Sequence, residues 1–481
     1  MFAALERSVP PGLAAFRKPA LAGMVLFGLL WGAVVALAGL NALYLCASLI
    51  ACAFILLDFR IGVVLLIVLM PISSTSVFPH AMLGITGLNP LNLLLVGTFG
   101  ACLLHGLSGG IPGRILPRPL LWLYLLPIVA AGAMGAQHVG EIPAAFHAFD
   151  LMDFDSTSGY VRDMLVKPLG MVLFAVLVAA AVSKSAATEK FLVPALVATW
   201  AISLIVIVFV ARSGIGLHQL AGSGAREFLS VLGLHANDLG RMYVVAYALL
   251  LFTWAGSQRA GERLVLLATM GLVVTALVLT FSRGAFAGFV VVNALFVLWR
   301  RSLWTLAIFG LAVAMALFAL PAAVYERVAV GAGEGLNAIS AGRLNGLWLP
   351  LLPEVMRSPV YGSGLGSIMW SGPMRAAGGA SVLLVTHPHN AYLQALLDMG
   401  VVGLVLLCAY FVHVWRGFRT LIRDPNLPPA LRGYFQGAAA GLLSILVSSA
   451  TDSSLTPRPE QALLWLAIGM MYGQLNQRQA P

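Results

Sequence analysis

The sequence predicts an all-α polytopic membrane protein of about 12–14 transmembrane helices with one large, partly helical outer loop. Three observations predict it. Hydrophobic residues make up 60% of the 481, charged residues only 10%, and mean hydropathy is +0.94. A soluble domain carries about 25% charged residues, so this chain has too few to cover a globular surface and its surplus apolar residues face lipid. Apolar runs of about 15–23 residues recur along the chain, near the length needed to cross a ~30 Å hydrocarbon core. Basic residues, finally, favour alternate connections between those runs. Soluble enzymes, disordered tails and secreted disulfide scaffolds are excluded before any motif is read.

In chain order the runs fall at 19–39, 41–57, 61–77, 89–107, 119–135, 164–183, 191–211, 236–256, 264–281, 284–299, 302–324, 395–415, 433–452 and 461–475. Arg17 and Lys18 precede the first, which reads as an uncleaved span rather than a removable signal segment. The second and third are so close that they read either as two crossings or as a tilted or re-entrant pair. The longest hydrophilic segment is 325–394. Within it Asn345–Met356 reads as a helix, whereas Gly362-Ser-Gly-Leu-Gly-Ser and Ala376-Ala-Gly-Gly-Ala read as turns or close backbone approaches. A loop of this length with structure of its own is usually functional. The 50 Gly and 25 Pro suit buried helices that are broken or closely packed. Cys46, Cys52, Cys102 and Cys408 all lie in apolar runs without ligand spacing, so no disulfide or zinc framework is expected.

With the N-terminus in the cytoplasm, most of the 28 basic residues fall on one side, including Arg60, Arg114, Arg118, Lys184, Lys190, Arg259, Arg263, Arg300, Arg301 and the Arg416–Arg432 group. Topology and anionic headgroups therefore account for the net charge of +10 without nucleic acid. The others are Arg162, Lys167, Arg212, Arg226, Arg241, Arg283, Arg327, Arg343, Arg357, Arg375 and Arg458, in or beside outer connections. Such a set of arginines either pairs with acidic residues such as Glu141, Asp150, Asp153, Asp155, Glu227, Glu326, Glu334 and Glu354, or binds an anionic substrate at the outer face.

Three outer segments have residues suited to chemistry. Phe281-Ser-Arg-Gly-Ala-Phe joins two spans with almost no loop and sets Arg283 at the membrane boundary, where it either meets a polar partner or snorkels to headgroups. Ser340-Ala-Gly-Arg-Leu-Asn-Gly-Leu-Trp348 puts Arg343 at the start of the loop helix, beside backbone N–H groups that an anion can use. Thr386-His-Pro-His-Asn sets His389 and Asn390 at the mouth of a span. There a neutral imidazole either takes a proton from a hydroxyl or is held by the backbone as a structural histidine. The Gly362-x-Gly-x-Gly run has no βαβ context and is no dinucleotide fingerprint.

Together these residues resemble the O-antigen ligase and Wzy polymerase superfamily, integral-membrane glycosyltransferases of the GT-C type. The resemblance rests on Phe281-Ser-Arg-Gly, the Gly-Arg…Trp stretch ending at Trp348, Gly362-Ser-Gly-Leu-Gly, and His389-Asn390 followed after nine residues by Gly400-x-x-Gly403. Arg226…Gly233-Leu-His-Ala-Asn237 resembles the family's upstream Arg…Asn region less closely. The resemblance spans about 210–475 and divides the chain into N-terminal transmembrane helices, 1–210, and a ligase-like membrane core, 211–481, that contains the loop 325–394. It implies transfer of a glycan from undecaprenyl diphosphate to an acceptor hydroxyl at the periplasmic face of the inner membrane, with inversion at the anomeric carbon. The acceptor is lipid A–core in a ligase and a growing polyprenyl-linked chain in a polymerase; the His-Asn-x9-Gly-x-x-Gly pattern favours the ligase. Arg283 and Arg226 then hold the diphosphate, His389 is the base, Arg343 supports the donor or the loop, and Asn390 and Asn237 orient groups nearby. No cofactor or metal is implied. Asp153-Phe-Asp155 has a metal-binding look but lies outside the matching segments, and no third ligand accompanies His387 and His389. A permease for an anionic lipid-linked substrate is the alternative from another class. It requires ionisable residues at mid-membrane, for which Lys167, Arg241 and Asp398 are the nearest.

Overall fold

The structure is a computed structural model of the whole chain. It describes residues 11–109, 116–152, 154–216, 219, 225–304, 306–307, 310–311, 333–376, 384–451 and 455–479. The expected run at 302–324 and the turn segment from Ala377 to Ala380 lie outside the described residues for the most part.

The chain is an all-α polytopic membrane protein. Fourteen helices matter here. They are α1 (Pro11–Ala38), α2 (Leu40–Leu57), α3 (Phe59–Leu69), α4 (Pro90–Gly109), α5 (Leu126–Gly135), α6 (Lys167–Ser183), α7 (Leu192–Ser213), α8 (Ala236–Gly256), α9 (Ala260–Leu279), α10 (Arg283–Arg300), α11 (Leu349–Arg357), α12 (Ala391–Ile422), α13 (Pro429–Ser448) and α14 (Ala462–Gln479). Among the described residues, eight helices are long and apolar enough to cross a membrane, and four shorter apolar helices accompany them. Among the described residues, the strands are confined to one hairpin with two residues in each strand, Ala81–Met82 with Ile85–Thr86.

Of the two readings of the 61–77 run, a full crossing is the one the helix does not support. Its helix ends at Leu69, and 11 residues rise only about 16 Å, half a bilayer core. Beyond it Ser73 Oγ donates to the Met70 carbonyl (2.8 Å) and Thr75 Oγ to that of Ile72 (2.7 Å). These local bonds offer the backbone an alternative to the helix ladder, and Pro71 lies among them.

Helix α8 is the hub of the bundle, buried along most of its length. It meets α13 across a glycine stripe: Gly433, Gly437 and Gly441 face the α8 backbone. A Cβ on Gly437 would lie 2.4 Å from the Ala248 carbonyl oxygen, and one on Gly433 2.2 Å from that of Phe252. Without a hydrophobic drive between helices in lipid, such small-residue seams supply the close packing. Gly469 and Gly473 seat α14 on α6 in the same way, against the Ala175 carbonyl and Val182. Gly437→Val is therefore expected to destabilise the bundle by roughly 1–3 kcal/mol or more. Gly271→Val, whose Cβ meets nothing, is the control. Thermal unfolding in detergent that treats the two alike would remove the seam from the account.

Connections assigned to one side by their charge lie together at one end of the bundle. Arg60 reaches the Lys184 carbonyl (3.4 Å) and Arg300 that of Ala255 (2.7 Å), while Arg478 pairs with Asp424. The opposite end carries the N-termini of α8, α10 and α12.

Candidate functional site

The turn between α9 and α10 is only Thr280-Phe281-Ser282. Phe281 is buried and takes a positive φ of 45°, a conformation side chains rarely adopt and that persists only where neighbours impose it. Ser282 then caps α10, accepting from Ala285 N (3.3 Å), and its hydroxyl donates to Asn237 Oδ1 (2.8 Å) at the start of α8. Helix α8 is itself capped by His235, whose Nδ1 accepts from Asn237 N (3.2 Å). Asn237 and Arg283 are thus held at adjoining helix starts. Arg283 is partly exposed on the first turn of α10. Guanidinium charge and helix N-terminus favour an anion there together.

His389 and Asn390 form the start of α12. Asn390 caps it, with Oδ1 accepting from Tyr392 N and Leu393 N, both at 3.1 Å. His389 stands just outside at φ 51°, its ring against that of His387, centroids 4.2 Å apart. Trp348 Nε1 donates to the Pro388 carbonyl (2.8 Å) and so pins this turn to the loop helix. The expected helix at Asn345–Met356 is present as a π turn, Leu344–Trp348, that runs into α11.

Helix α13 ends between these two groups. Its neighbour is α10, where a Cβ on Gly288 would meet Ser444 Oγ at 2.6 Å. A turn or so further along, Tyr392 Oη donates to the Leu446 carbonyl (2.7 Å) and Ala391 N to that of Ser449 (2.8 Å). Arg343 Nη1 donates to the Thr451 carbonyl (2.7 Å). Carbonyls at this negative helix end are thereby engaged by donors instead of facing an incoming anion. Arg283, Asn237, Arg343, His389 and Asn390 hence surround one end of α13. Arg226 belongs to the short helix Ala225–Ser230, but its side chain lies outside the described residues. That helix leads to Gly233, which sits in the left-handed region against the 74–76 turn, a Cβ there falling 2.5 Å from the Ser74 carbonyl oxygen.

Other outer cations pair within the fold. Arg162 and Lys167 both bind Asp163 (2.7 and 2.5 Å), Arg357 binds Glu354 (2.9 Å) and Arg375 lies 3.5 Å from Glu141. Arg241, one turn along α8 from Asn237, is buried against Asp238 and Glu460, the latter at 3.1 Å. This ties the start of α8 to the start of α14. Asp398 is buried and accepts from Ser367 N (3.0 Å) and Oγ (2.9 Å), anchoring the Gly362–Gly366 loop. Lys167, Arg241 and Asp398 therefore all have structural engagements. Asp153, Glu326 and Arg327 lie outside the described residues.

Sequence reasoning missed the Ser282–Asn237 and Trp348–Pro388 links and the role of Ser449 and Thr451 as acceptors. It also missed a cleft beside α11, described below. A larger, mainly apolar cavity of about 820 Å³ lies at the far end of the bundle, between Lys190, Arg259, Pro429 and Tyr434.

Fold and site define a multi-span helical membrane protein that gathers arginine, histidine and capped helix N-termini at one end of its bundle. The family model described as O-antigen ligase matches residues 265–408, a stretch running from α9 through Arg283, Arg343 and His389 into α12. That match supports the O-antigen ligase and Wzy polymerase superfamily for this segment, and with it glycan transfer of ligase or polymerase type. The match is narrower than the resemblance at 210–475 and leaves Arg226 and Asn237 outside it. No curated protein matches the chain.

Proposed function

We propose that the protein transfers a glycan from undecaprenyl diphosphate to lipid A–core at the periplasmic face of the inner membrane, as an O-antigen ligase, with both chain termini cytoplasmic. The observation that carries this reading is the placement of Arg283 and the His389–Asn390 turn around one end of α13, each at the start of a helix. Helix starts and guanidinium suit a diphosphate; an imidazole beside them suits a hydroxyl that must lose a proton.

In this mechanism the acceptor oxygen attacks the anomeric carbon from the face opposite the diphosphate. The new glycosidic C–O bond forms as the bond to the diphosphate oxygen breaks, and the anomeric centre inverts. The hydroxyl proton passes to the His389 imidazole. Charge that develops on the leaving diphosphate is met by Arg283 and Arg226. Asn237, held by Ser282, and Asn390, held as a cap, keep the two helix starts in register with the substrates. Arg343 holds the loop through the Thr451 carbonyl. A division near residue 210 fits this reading, since α7 ends at Ser213 and the site draws its residues from later helices.

The test uses purified protein in nanodiscs with a polyprenyl-diphosphate-linked oligosaccharide, in EDTA. Lipid A–core and a second donor molecule are offered in separate reactions. Product on lipid A–core is expected. A lengthened polyprenyl-linked chain would assign a polymerase instead, and bound donor with no transfer to either would favour the permease. Loss of transfer in EDTA, restored by divalent cation, would end the metal-independent reading.

A further inference from the structure

A polar cleft of about 320 Å³ opens at the same end of the bundle, beside the loop helix α11. Its walls carry His138, Glu141, Glu354, Arg357, Trp370 and Arg375, drawn from the segment after α5, from α11 and from the turn after the glycine loop. None of these residues belongs to the Arg283–His389 group.

The cleft has three properties that point to one ligand chemistry. Its charges are matched: Glu354 accepts from Arg357 (2.9 Å), and Glu141 lies between His138 Nδ1 (2.7 Å) and Arg375 (3.5 Å). Two carboxylates against two guanidiniums offer strong hydrogen-bonding groups with no excess of either sign, which suits a neutral polyhydroxyl ligand better than an anion. The His138 hydrogen bond, with its charge and that of Arg375, holds the Glu141 carboxyl below the usual carboxylate range, so it remains an acceptor at neutral pH. Second, Ser358, Ser367 and Ser371 line the wall and donate their hydroxyls to Gly362 O, Asp398 Oδ1 and Ile368 O, which leaves their oxygens as acceptors. Third, Trp370 is only 4% exposed, and its indole Nε1–H, which can only donate, has no partner among the described residues. His138 stacks on its ring, centroids 5.5 Å apart.

We infer that this cleft is a carbohydrate subsite that holds a mono- or disaccharide unit of a glycan substrate while the reaction takes place at His389. Glu141 and Arg375 bind sugar hydroxyls, and Trp370 Nε1–H donates to a sugar oxygen. The volume lies near the lower end of small-molecule sites, about 300 Å³. The path to the reacting centre is short. Leu397, in the cleft wall, lies about 10 Å along α12 from Asn390 by helix rise. Helix α11 supplies Glu354 and Arg357 to the cleft, and Trp348, just before it, holds the Pro388 carbonyl beside His389. The choice of a sugar as ligand rests on the glycan-transfer reading, whereas the charge pairing and the orphan donor do not.

The experiment titrates the full-length protein in nanodiscs with the free oligosaccharide released from its lipid-linked donor by mild acid, followed by calorimetry and saturation-transfer NMR. Saturable binding is expected for the wild type. Glu141→Ala and Trp370→Phe should each weaken it about tenfold, near what one hydrogen bond to a charged group carries. In transfer assays the same variants should raise KM for the glycan-bearing substrate by a similar factor with kcat unchanged. Glu141 is exposed, so that variant folds even if Trp370→Phe does not. Binding should persist in His389→Ala. Unchanged Kd and KM in Glu141→Ala, or no saturable binding by the wild type, would overturn the subsite and leave water as the only occupant. Displacement by inorganic phosphate would overturn the assignment of a sugar. If binding follows the cleft variants but the wild type transfers no glycan, the subsite stands and the transferase reading fails.

Discussion

Arg283→Ala is expected to abolish glycan transfer while the protein remains folded in the membrane. The fold does not depend on this side chain as a cap: Ser282 caps α10 and bridges to Asn237, and the neighbouring Phe281 supplies the buried anchor of the turn. What is lost is a fixed positive charge on a helix N-terminus in a site flanked by lipid. Removal of one such preorganised donor costs on the order of 10²–10³ in rate, and a full guanidinium facing a diphosphate belongs at the upper end. Arg283→Lys keeps the charge but loses the planar fork, so partial recovery is expected. Single-turnover transfer from the lipid-linked donor, beside a thermal melt in detergent, checks both parts. Wild-type turnover in the alanine variant would remove Arg283 from the reaction.

His389 gives the second large effect, and the backbone complicates its test. Its φ of 51° lies in the left-handed region, which a side chain enters at a cost of about 1–2 kcal/mol. Glycine enters it freely. His389→Gly therefore removes the imidazole without opposing the turn, and His389→Ala provides the companion. Both are expected to lower the rate of the chemical step by about 10²–10⁴ with donor affinity little changed. Asn390 still caps α12, and Trp348 still holds Pro388. Donor binding measured separately from turnover distinguishes a base from a docking group. If affinity falls with rate, His389 holds the donor; if His389→Gly turns over normally, it has no part in proton transfer.

The two variants also report on different features of the sequence. The sequence singles out Arg283 because an arginine in a two-span junction with almost no loop is out of place in lipid unless it meets a polar partner or snorkels to the headgroups. His389 was not legible alone. A single histidine is usually structural, and it gained meaning only from its neighbours Asn390, Gly400 and Gly403. The structure explains part of that pattern. Asn390 caps α12, and Gly400 breaks it at φ 63°, where a Cβ would sit 2.4 Å from the Val360 carbonyl oxygen. The pattern thus marks a helix start and a kink against the loop.

Other features had no sequence signal. Ser282 and Asn237 are 45 residues apart, Trp348 and Pro388 40, and Arg343 and Thr451 108. His138, just after α5, meets Trp370 of the 325–394 loop. Glu141 and Glu354 stood among the acidic partners offered to the outer arginines, but which arginine meets which came only from the fold, and the Asp238–Arg241–Glu460 cluster joins helices whose proximity no local pattern reveals. The 61–77 run shows what a hydropathy run alone leaves open. A hydropathy window counts apolar residues and is blind to serine and threonine hydroxyls that bond the carbonyls three residues back once the helix ends at Leu69.

By itself the sequence determined that the chain leaves water, where most of its helices lie and which connections share a side. Transfer into lipid depends on local composition, and charge placement acts through short connections. Tertiary structure decided which polar groups meet. Those encounters follow from how closely helices approach, and that is set by glycine seams such as Gly433–Gly437–Gly441 against α8. Buried donors and acceptors must then find partners across whatever distance in sequence the packed helices impose.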